Sequence, residues 1–175
     1  MADRQIEVFL GVGSNIEPEK HIAEALERVK LHARVTGVST FYHTAPLQRP
    51  DQPRFLNGVW RIETSTAART LKFDVLRTIE SELGRVRTPD RCAPRTIDLD
   101  VVLYGDALID EPDLRMPDPD ILIRAFLWVP LLELDPDLVL PDTGQRLASL
   151  VDPASKEGLE AAADFTERLR TRAFA

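Results

Sequence analysis

The chain has 175 residues, of which 43% are hydrophobic and 29% are charged, and its formal net charge is -7. This length and balance predict a single globular domain spanning residues 1–175. The negative charge disfavours nucleic acid or an anionic membrane as a partner, so any anion site must be a local cluster of arginines. The one cysteine, Cys92, excludes an internal disulfide and is typical of a reducing compartment.

Two apolar stretches bear on location. The first residues, "MADRQIEVFLGVGSN", lack the long apolar centre of a signal peptide. The most apolar stretch, "ILIRAFLWVPLLEL", is interrupted by Arg124, Pro130 and Glu133, so it does not predict a membrane span. We therefore expect a cytoplasmic protein.

The first half of the chain predicts three strands and one helix. Residues 6–13 form a short β-branched and aromatic run, which predicts a buried strand. Apolar residues at helical spacing predict a helix over 18–34. The β-branched and aromatic residues of 35–44 predict a strand, and the proline-rich stretch 45–55 predicts a loop. Alternation of apolar and charged residues predicts another strand over 57–64.

The second half continues with a helix and a strand. Leu71, Val75, Ile79 and Leu83 recur every four residues and predict a helix that ends at Gly84. Residues 85–96 predict a loop, and 97–104 predict a strand. The order β-α-β-β-α-β is that of a ferredoxin-like α+β sandwich. C-terminal helical additions are expected in "AFLWVPLLEL" and in the amphipathic stretch "KEGLEAAADFTERLRTRA".

Two carboxylates interrupt the strand predicted over 97–104. Asp98 and Asp100 are two residues apart, so they share one face of the strand. Like charges at that spacing are unfavourable without a cation between them, and Mg²⁺ prefers a few carboxylates completed by water and phosphate oxygens. Four arginines precede the pair, at positions 85, 87, 91 and 95. The pattern fits a metal–polyphosphate site, but a solvated face neutralised by the arginines explains it about as well.

Other motifs predict no further site. "GVGSN" at 11–15 lacks the residues of a phosphate-binding loop, so we interpret its glycines as ending a strand. The histidines, at positions 21, 32 and 43, do not cluster with Cys92 as zinc ligands would. We expect His21 on a helix surface.

Five segments, taken together and in order, carry a family resemblance. They are "GVGSNI", "TAPL…DQPRFLN", "GRVR", "RCAPRTIDLDVVLYG" and "RAFLWVPLLEL". With these segments the chain resembles the 6-hydroxymethyl-7,8-dihydropterin pyrophosphokinases of folate biosynthesis. The resemblance covers roughly residues 6–141 and leaves 142–175 as a C-terminal extension. The family's fold is the ferredoxin-like sandwich that the element order predicts independently.

The resemblance implies transfer of a diphosphoryl group from ATP to the pterin hydroxymethyl group, which gives AMP and the pterin diphosphate. Asp98 and Asp100 match the residues that hold two Mg²⁺ ions against the ATP phosphates. Arg85 and Arg95 match the catalytic arginines of a mobile loop. Nucleotide-binding positions of the family fall on Arg87, Arg91, Arg124 and Asp118. The pterin-binding positions fall on Thr44, Pro46, Leu47, Phe55, Asn57 and Phe126.

The chain departs from the family pattern at three positions. Asp118 stands where the family has a phosphate-contacting histidine, and a carboxylate there repels a triphosphate. Cys92 replaces an aromatic residue that is frequent in the loop, and Ala45 replaces a frequent proline. These departures leave an alternative, a paralogue that binds pterin or nucleotide with little catalysis and acts in regulation or in a complex.

A two-metal phosphodiesterase acting on nucleic acid would use the same aspartate pair. The acidic charge and the lack of a basic, aromatic binding stripe disfavour it. We expect a monomer that acts on two small-molecule substrates, ATP and the pterin, with no nucleic acid or membrane as a partner.

Overall fold

The computed structural model describes residues 3–156 and 158–175. An antiparallel sheet forms its centre, with strand order β5-β1-β4-β3-β8 and with β2 also paired to β4. Its strands are β1 (Ile6–Ser14), β2 (Arg34–Val38), β3 (Tyr42–Thr44), β4 (Phe55–Thr64), β5 (Asp98–Tyr104) and β8 (Glu160–Ala161). A separate hairpin consists of β6 (Ile109–Glu111) and β7 (Leu114–Met116).

Helices connect and cover the strands. They are α1 (Pro18–Val29), α2 (Ala68–Thr70), α3 (Arg77–Glu82), α4 (Ala125–Leu134), α5 (Leu147–Leu150) and α6 (Ala163–Phe174). A π-helical segment, Leu71–Leu76, joins α2 to α3, and single 3₁₀ turns occupy Pro119–Leu122 and Pro153–Lys156. With β2 and β3, which both pair with β4, counted as one interrupted strand, the order β-α-β-β-α-β confirms the predicted ferredoxin-like α+β sandwich. No helix within the described residues combines the length and apolarity needed to cross a bilayer.

Alternation along β1 gives the sheet two different faces. Val8, Leu10 and Val12 point into a core that also contains apolar residues of α1, α3 and α6. Phe9 points into a second core on the opposite face, formed with α4 and the segments that follow it. On that second face the next β1 positions, towards its C-terminal end, are Gly11 and Gly13. The sheet is therefore open there, beyond the edge of α4.

The predicted strand 35–44 is two strands, because Ser39 interrupts the ladder. Its backbone N–H donates to the Val59 carbonyl (3.0 Å), but the Val59 N–H donates to the Ser39 hydroxyl (2.9 Å) instead of to a carbonyl. Because the Ser39 hydroxyl takes the place of a backbone carbonyl as acceptor, β2 ends here and the chain turns before β3. The predicted helix 18–34 likewise ends early, at Val29.

The tail helix begins seven residues later than predicted. Gly158 has a left-handed φ of 85°, which ends any helix before it, and β8 then pairs with β3. Only from Ala163 does the amphipathic pattern form a helix, α6, with Phe165, Leu169 and Ala173 buried. Residue 157, within the predicted stretch, lies outside the described residues. The buried helix predicted in "AFLWVPLLEL" is confirmed as α4.

Candidate active site

A cavity of about 800 Å³ opens on the face of the sheet where β1 carries Gly11 and Gly13. Strand register places the surrounding side chains. Gly13 lies between Asp98 on β5 and Asn57 on β4, and Gly11 lies between Asp100 and Val59. Residues one strand apart are about 4.8 Å from each other, so the Asp98 and Asn57 backbones are roughly 10 Å apart across a floor without side chains. The cavity thus joins a carboxylate side to an amide side.

Most of the residues singled out by the sequence line this cavity. They are Thr44, Leu47, Phe55, Asn57, Arg91, Arg95, Asp98, Asp100, Asp118, Arg124 and Phe126. Pro46, Arg85 and Arg87 are not among the lining residues, although Arg85 contacts one that is. We expected Gly11 and Gly13 to end the strand, but both lie inside it. Since they lack side chains, they form the floor of the cavity.

Two arginines hold Asp98. Arg95 Nη1 donates to Asp98 Oδ2 over 2.6 Å, and Arg85 Nη1 lies 3.4 Å from Asp98 Oδ1. Arg85 also donates to the Ile97 carbonyl over 2.8 Å, and its side chain is only 10% exposed. Arg85 therefore holds the start of β5 from outside the cavity lining, while Arg95 contacts the Asp98 carboxylate from the cavity wall.

Among the described residues, no arginine or lysine forms such an ion pair with Asp100. The Asp100 side chain is exposed to the open cavity, yet the protein around it raises its pKa to about 7, first through desolvation and then through the nearby charges of Asp98, Glu80 and Asp118. Lys72 opposes this shift. A cation bound between Asp98 and Asp100 would stabilise the ionised form of Asp100.

The side chains that could bind a metal here fit a cation that keeps most of its water and phosphate ligands. Within residues 3–156 and 158–175, no group of three or more histidine, cysteine or carboxylate side chains could form a closed metal site. Two carboxylates alone suit Mg²⁺, which is usually bound by one or two carboxylates plus water and substrate phosphates.

Glu80, which sequence reasoning missed, connects the aspartate strand to the arginine loop. It is 1% exposed; its Oε1 accepts from the Leu99 N–H (2.8 Å) and its Oε2 accepts from Arg87 Nη2 (2.5 Å). Leu99 lies between the two aspartates, and burial raises the pKa of Glu80. Its sequence position could have predicted that Glu80 is buried. It stands on the apolar face of its helix, four residues after Leu76 and three before Leu83.

The amide side is built on two paired strands. Asn57 Nδ2 donates to Thr44 Oγ1 over 2.7 Å, and this bond fixes the orientation of the amide above the floor. A Cβ atom added to Gly13 would come within 2.5 Å of Asn57 Oδ1. Phe55 and Phe126 both line the cavity, and the Arg95 guanidinium lies 5.9 Å from the Phe55 ring centroid.

Asn15, also missed by the sequence reasoning, joins the two loops that border the cavity. Its Oδ1 accepts from the Arg95 N–H (2.8 Å), and its Nδ2 donates to Gln52 Oε1 (3.2 Å). Gln52 in turn donates to the Cys92 carbonyl over 2.7 Å. Asn15 is 3% exposed, so these bonds are sheltered from water. We define this set of bonds as the Asn15 junction; no local pattern predicts it, since its partners are distant in sequence.

Asp118 lines the cavity, as its resemblance to the family's phosphate-contacting position implies. Its Oδ1 accepts from the Asp120 N–H over 2.8 Å and so caps the 3₁₀ turn that follows. Burial raises the pKa of Asp118, and the charge of Asp120 adds to the shift.

The expectation that His21 lies on a helix surface was wrong. Its side chain is buried, and its Nδ1 lies 2.6 Å from the Ile16 carbonyl oxygen.

Comparison with known families decides what this arrangement belongs to. Residues 9–136 match the model of the 7,8-dihydro-6-hydroxymethylpterin-pyrophosphokinase family. The chain belongs to this family.

Curated relatives agree with the family assignment. The 2-amino-4-hydroxy-6-hydroxymethyldihydropteridine pyrophosphokinase of Pseudomonas aeruginosa is 43% identical over 156 residues, which are 87% of this chain and 94% of the relative. The enzyme of the same name from Haemophilus influenzae is 38% identical, over 83% of this chain and 91% of the relative. The folic acid synthesis protein fol1 of Pneumocystis carinii is 40% identical, but the chain spans only 19% of its length.

Solved structures support the fold. A Plasmodium falciparum HPPK-DHPS triple mutant superposes with a TM-score of 0.65 at 12% identity, over 90% of this chain and 47% of that one. The family and its curated relatives show that the chain is an ATP-dependent pyrophosphokinase of folate biosynthesis, which transfers diphosphate from ATP to 6-hydroxymethyl-7,8-dihydropterin. The non-catalytic paralogue is not favoured.

Proposed function

We propose that Asp98 and Asp100 bind the two Mg²⁺ ions that this transfer uses. The supporting observation is that strand register places both carboxylates on one wall of the cavity, where desolvation and the charge of Asp98 raise the pKa of Asp100. Bound Mg²⁺ would neutralise the triphosphate and polarise the phosphoryl group under attack. Asp98 and Asp100 face the same cavity as the arginines, so metal and phosphates would meet there.

The arginines of the cavity wall receive the phosphates. Arg91, Arg95 and Arg124 line the cavity, and a guanidinium donates in pairs to phosphate oxygens while keeping its charge at any physiological pH. Arg95 would exchange its bond with Asp98 for one with the transferring group. Arg85 and Arg87 act from the base of the loop, where they hold Ile97 and Glu80.

The amide side binds the pterin. Asn57 offers its Oδ1 and one amide hydrogen to the polar edge of the ring, because Thr44 already accepts the other. Phe55 and Phe126 would pack on the faces of the flat bicycle, and Leu47 and the backbone around Pro46 would close its edge. The hydroxymethyl group would then point along the glycine floor towards the phosphates.

The reaction forms one bond and breaks one. The hydroxymethyl oxygen bonds to the β-phosphorus of ATP, while the bond from that phosphorus to the oxygen bridging to the α-phosphate breaks. AMP leaves with the electron pair, and the hydroxyl proton passes to solvent. Arg95 stabilises the charge that develops, and closure of the arginine loop excludes water as a competing acceptor.

We further propose that residues 1–175 act as one domain, since apolar residues of α6 are buried in the core that also contains β1 and α1. A monomeric state and a cytoplasmic location stay predictions from the sequence.

AMP release from ATP and Mg²⁺, with and without the pterin, tests the proposed site. We expect pterin-dependent AMP that Asp98→Ala abolishes without unfolding the protein. Asp106→Ala, an exposed residue in the turn after β5, is the matched control and should retain full turnover. Near-normal turnover in Asp98→Ala, or activity that survives complete removal of Mg²⁺ by EDTA, would exclude the metal assignment.

A further inference from the structure

The C-terminal extension reaches the pterin side of the sheet. Thr166 lies outside the part of the chain matched by the family model, residues 9–136, and is 1% exposed. Its hydroxyl accepts a hydrogen bond from the Phe41 N–H over 2.9 Å and donates one to the Ala162 carbonyl, also over 2.9 Å. The Ala162 N–H returns to the Phe41 carbonyl over 2.8 Å. Both backbone polar groups of Phe41 are thus bonded to the extension.

Phe41 has no alternative to these bonds. It is fully buried, so water cannot replace a partner that is lost, and a buried donor left unpaired is unfavourable. The extension also holds its ring, because Phe165 packs edge-on against it with centroids 5.7 Å apart. The position of Phe41 is therefore set jointly by the backbone and the side chains of the first turn of α6.

Phe41 in turn supports the residues that face the cavity. Its ring lies directly under Gly58, where an added Cβ would come within 2.5 Å of it, and Gly58 follows Asn57 on β4. Three residues after Phe41, Thr44 accepts the bond from the Asn57 amide. β8 adds to this support, because it pairs with β3 through Tyr42 and so converts a three-residue edge strand into an interior one.

We propose that Thr166 is a positioning residue for the pterin, acting through Phe41 and β3 on Thr44 and Asn57. This inference rests on the proposed pterin role of Asn57. Since β1 and β4 separate β3 from β5 and its aspartates, loss of the Thr166 bond should affect the pterin and not the metal–phosphate side.

Steady-state kinetics of Thr166→Val test the proposal. We expect KM for the pterin to rise about 5- to 10-fold, which equals about 1.0–1.4 kcal/mol, with kcat and KM for ATP within twofold of wild type. Thr166→Ser retains the hydroxyl and should restore the wild-type KM. Thr171→Val is the matched control, since the Thr171 hydroxyl is exposed and bonds only within its own helix, to the Glu167 carbonyl.

The outcomes separate this inference from the proposed function. If Asn57→Ala raises KM for the pterin and Thr166→Val does not, the positioning role of Thr166 is wrong. An Asn57→Ala variant with unchanged KM would instead contradict the pterin site itself. Equal changes in KM for both substrates would mean a general loss of structure and would also reject the proposal. If Thr166→Val does not fold, the Phe165→Leu variant is tested instead, by calorimetric measurement of pterin binding. We expect weaker binding than in wild type. Unchanged binding would contradict the positioning role.

Discussion

The two sides of the cavity are stabilised in opposite ways. On the side proposed for the phosphates, Asp98 and Asp100 face the cavity together, and their surroundings penalise the charge of Asp100. On the side proposed for the pterin, Asn57 donates a hydrogen bond to Thr44 over 2.7 Å between two paired strands. The first side is an unfavourable arrangement that bound cations would relieve, whereas the second has its orienting hydrogen bond in place before any substrate binds. Affinity for the nucleotide should therefore depend on electrostatics, and affinity for the pterin on shape.

Asp100→Asn gives the largest effect and separates function from stability. The folded-state pKa, about 7, lies above the ordinary value of about 3.9 for an unfolded aspartate. Ionisation of Asp100 therefore opposes folding, and this loss of stability grows as pH rises from about 4 to about 7. We expect the variant to lose activity roughly 100- to 1,000-fold and yet to melt at a higher temperature than wild type at pH 8.

Melting curves in EDTA at pH 4, 6 and 8 check this prediction. The difference in Tm between variant and wild type should shrink as pH falls and vanish near pH 4. A variant that melts below wild type at pH 8 would show that Asp100 is not under electrostatic strain in the folded protein.

Arg95→Ala and Arg87→Ala compare the front and the base of the arginine loop. Arg95 lines the cavity and donates to Asp98, whereas Arg87 donates to the buried Glu80. We expect kcat to fall about 100-fold for Arg95→Ala and less than 10-fold for Arg87→Ala, as measured by single-turnover AMP formation. Equal losses would mean that Arg87 also reaches the phosphates.

Gly13→Ala tests whether shape governs the pterin side. The added methyl would approach Asn57 Oδ1 to 2.5 Å, so the amide must move. We expect KM for the pterin to rise about 10-fold, or about 1.4 kcal/mol, with little change for ATP. Gly11→Ala is the comparison, because its Cβ would meet the side chains of Val102 and Leu127 at 3.2 and 3.4 Å, which can shift, and would stay 4.0 Å from the Asp100 carbonyl. A similar rise in KM for the pterin in both variants would contradict the assignment of Gly13.

Asp118→Asn should give the smallest effect. Removal of a carboxylate that would face the triphosphate is expected to lower KM for ATP about two- to fivefold at pH 8, while the asparagine oxygen can still accept from Asp120. Burial raises the pKa of Asp118, so wild-type Asp118 becomes neutral as pH falls and the difference between the two proteins should narrow. Asp110→Asn, on the exposed β6, is the control. A higher KM for ATP in Asp118→Asn would show that the carboxylate assists the nucleotide.

Local pattern was sufficient for much of this molecule. Alternation along β5 predicted that Asp98 and Asp100 leave the core while Leu99 and Val101 enter it, and the element order predicted the sandwich. The pattern was insufficient where one side chain replaces a backbone group. Ser39 is an ordinary residue of a β-branched run, and only the three-dimensional pairing with Val59 shows that its hydroxyl ends β2.

Long-range contacts account for the remaining differences. Glu80 and Asn15 each bond to residues that lie far along the chain, on β5 and in the two bordering loops. The glycines of β1 were interpreted as a strand end because sequence does not show which face of a strand stays uncovered. That depends on where α4 stops, which is a property of the whole fold.

The Asn15 junction has a consequence for how the two substrates influence each other. One buried amide holds both the end of the arginine loop and the loop on the pterin side. A substrate that orders one of these loops therefore reduces the conformational entropy that the second substrate must remove from the other. Thermodynamic linkage requires this coupling to be reciprocal, so ATP should tighten pterin binding by the same factor by which the pterin tightens ATP.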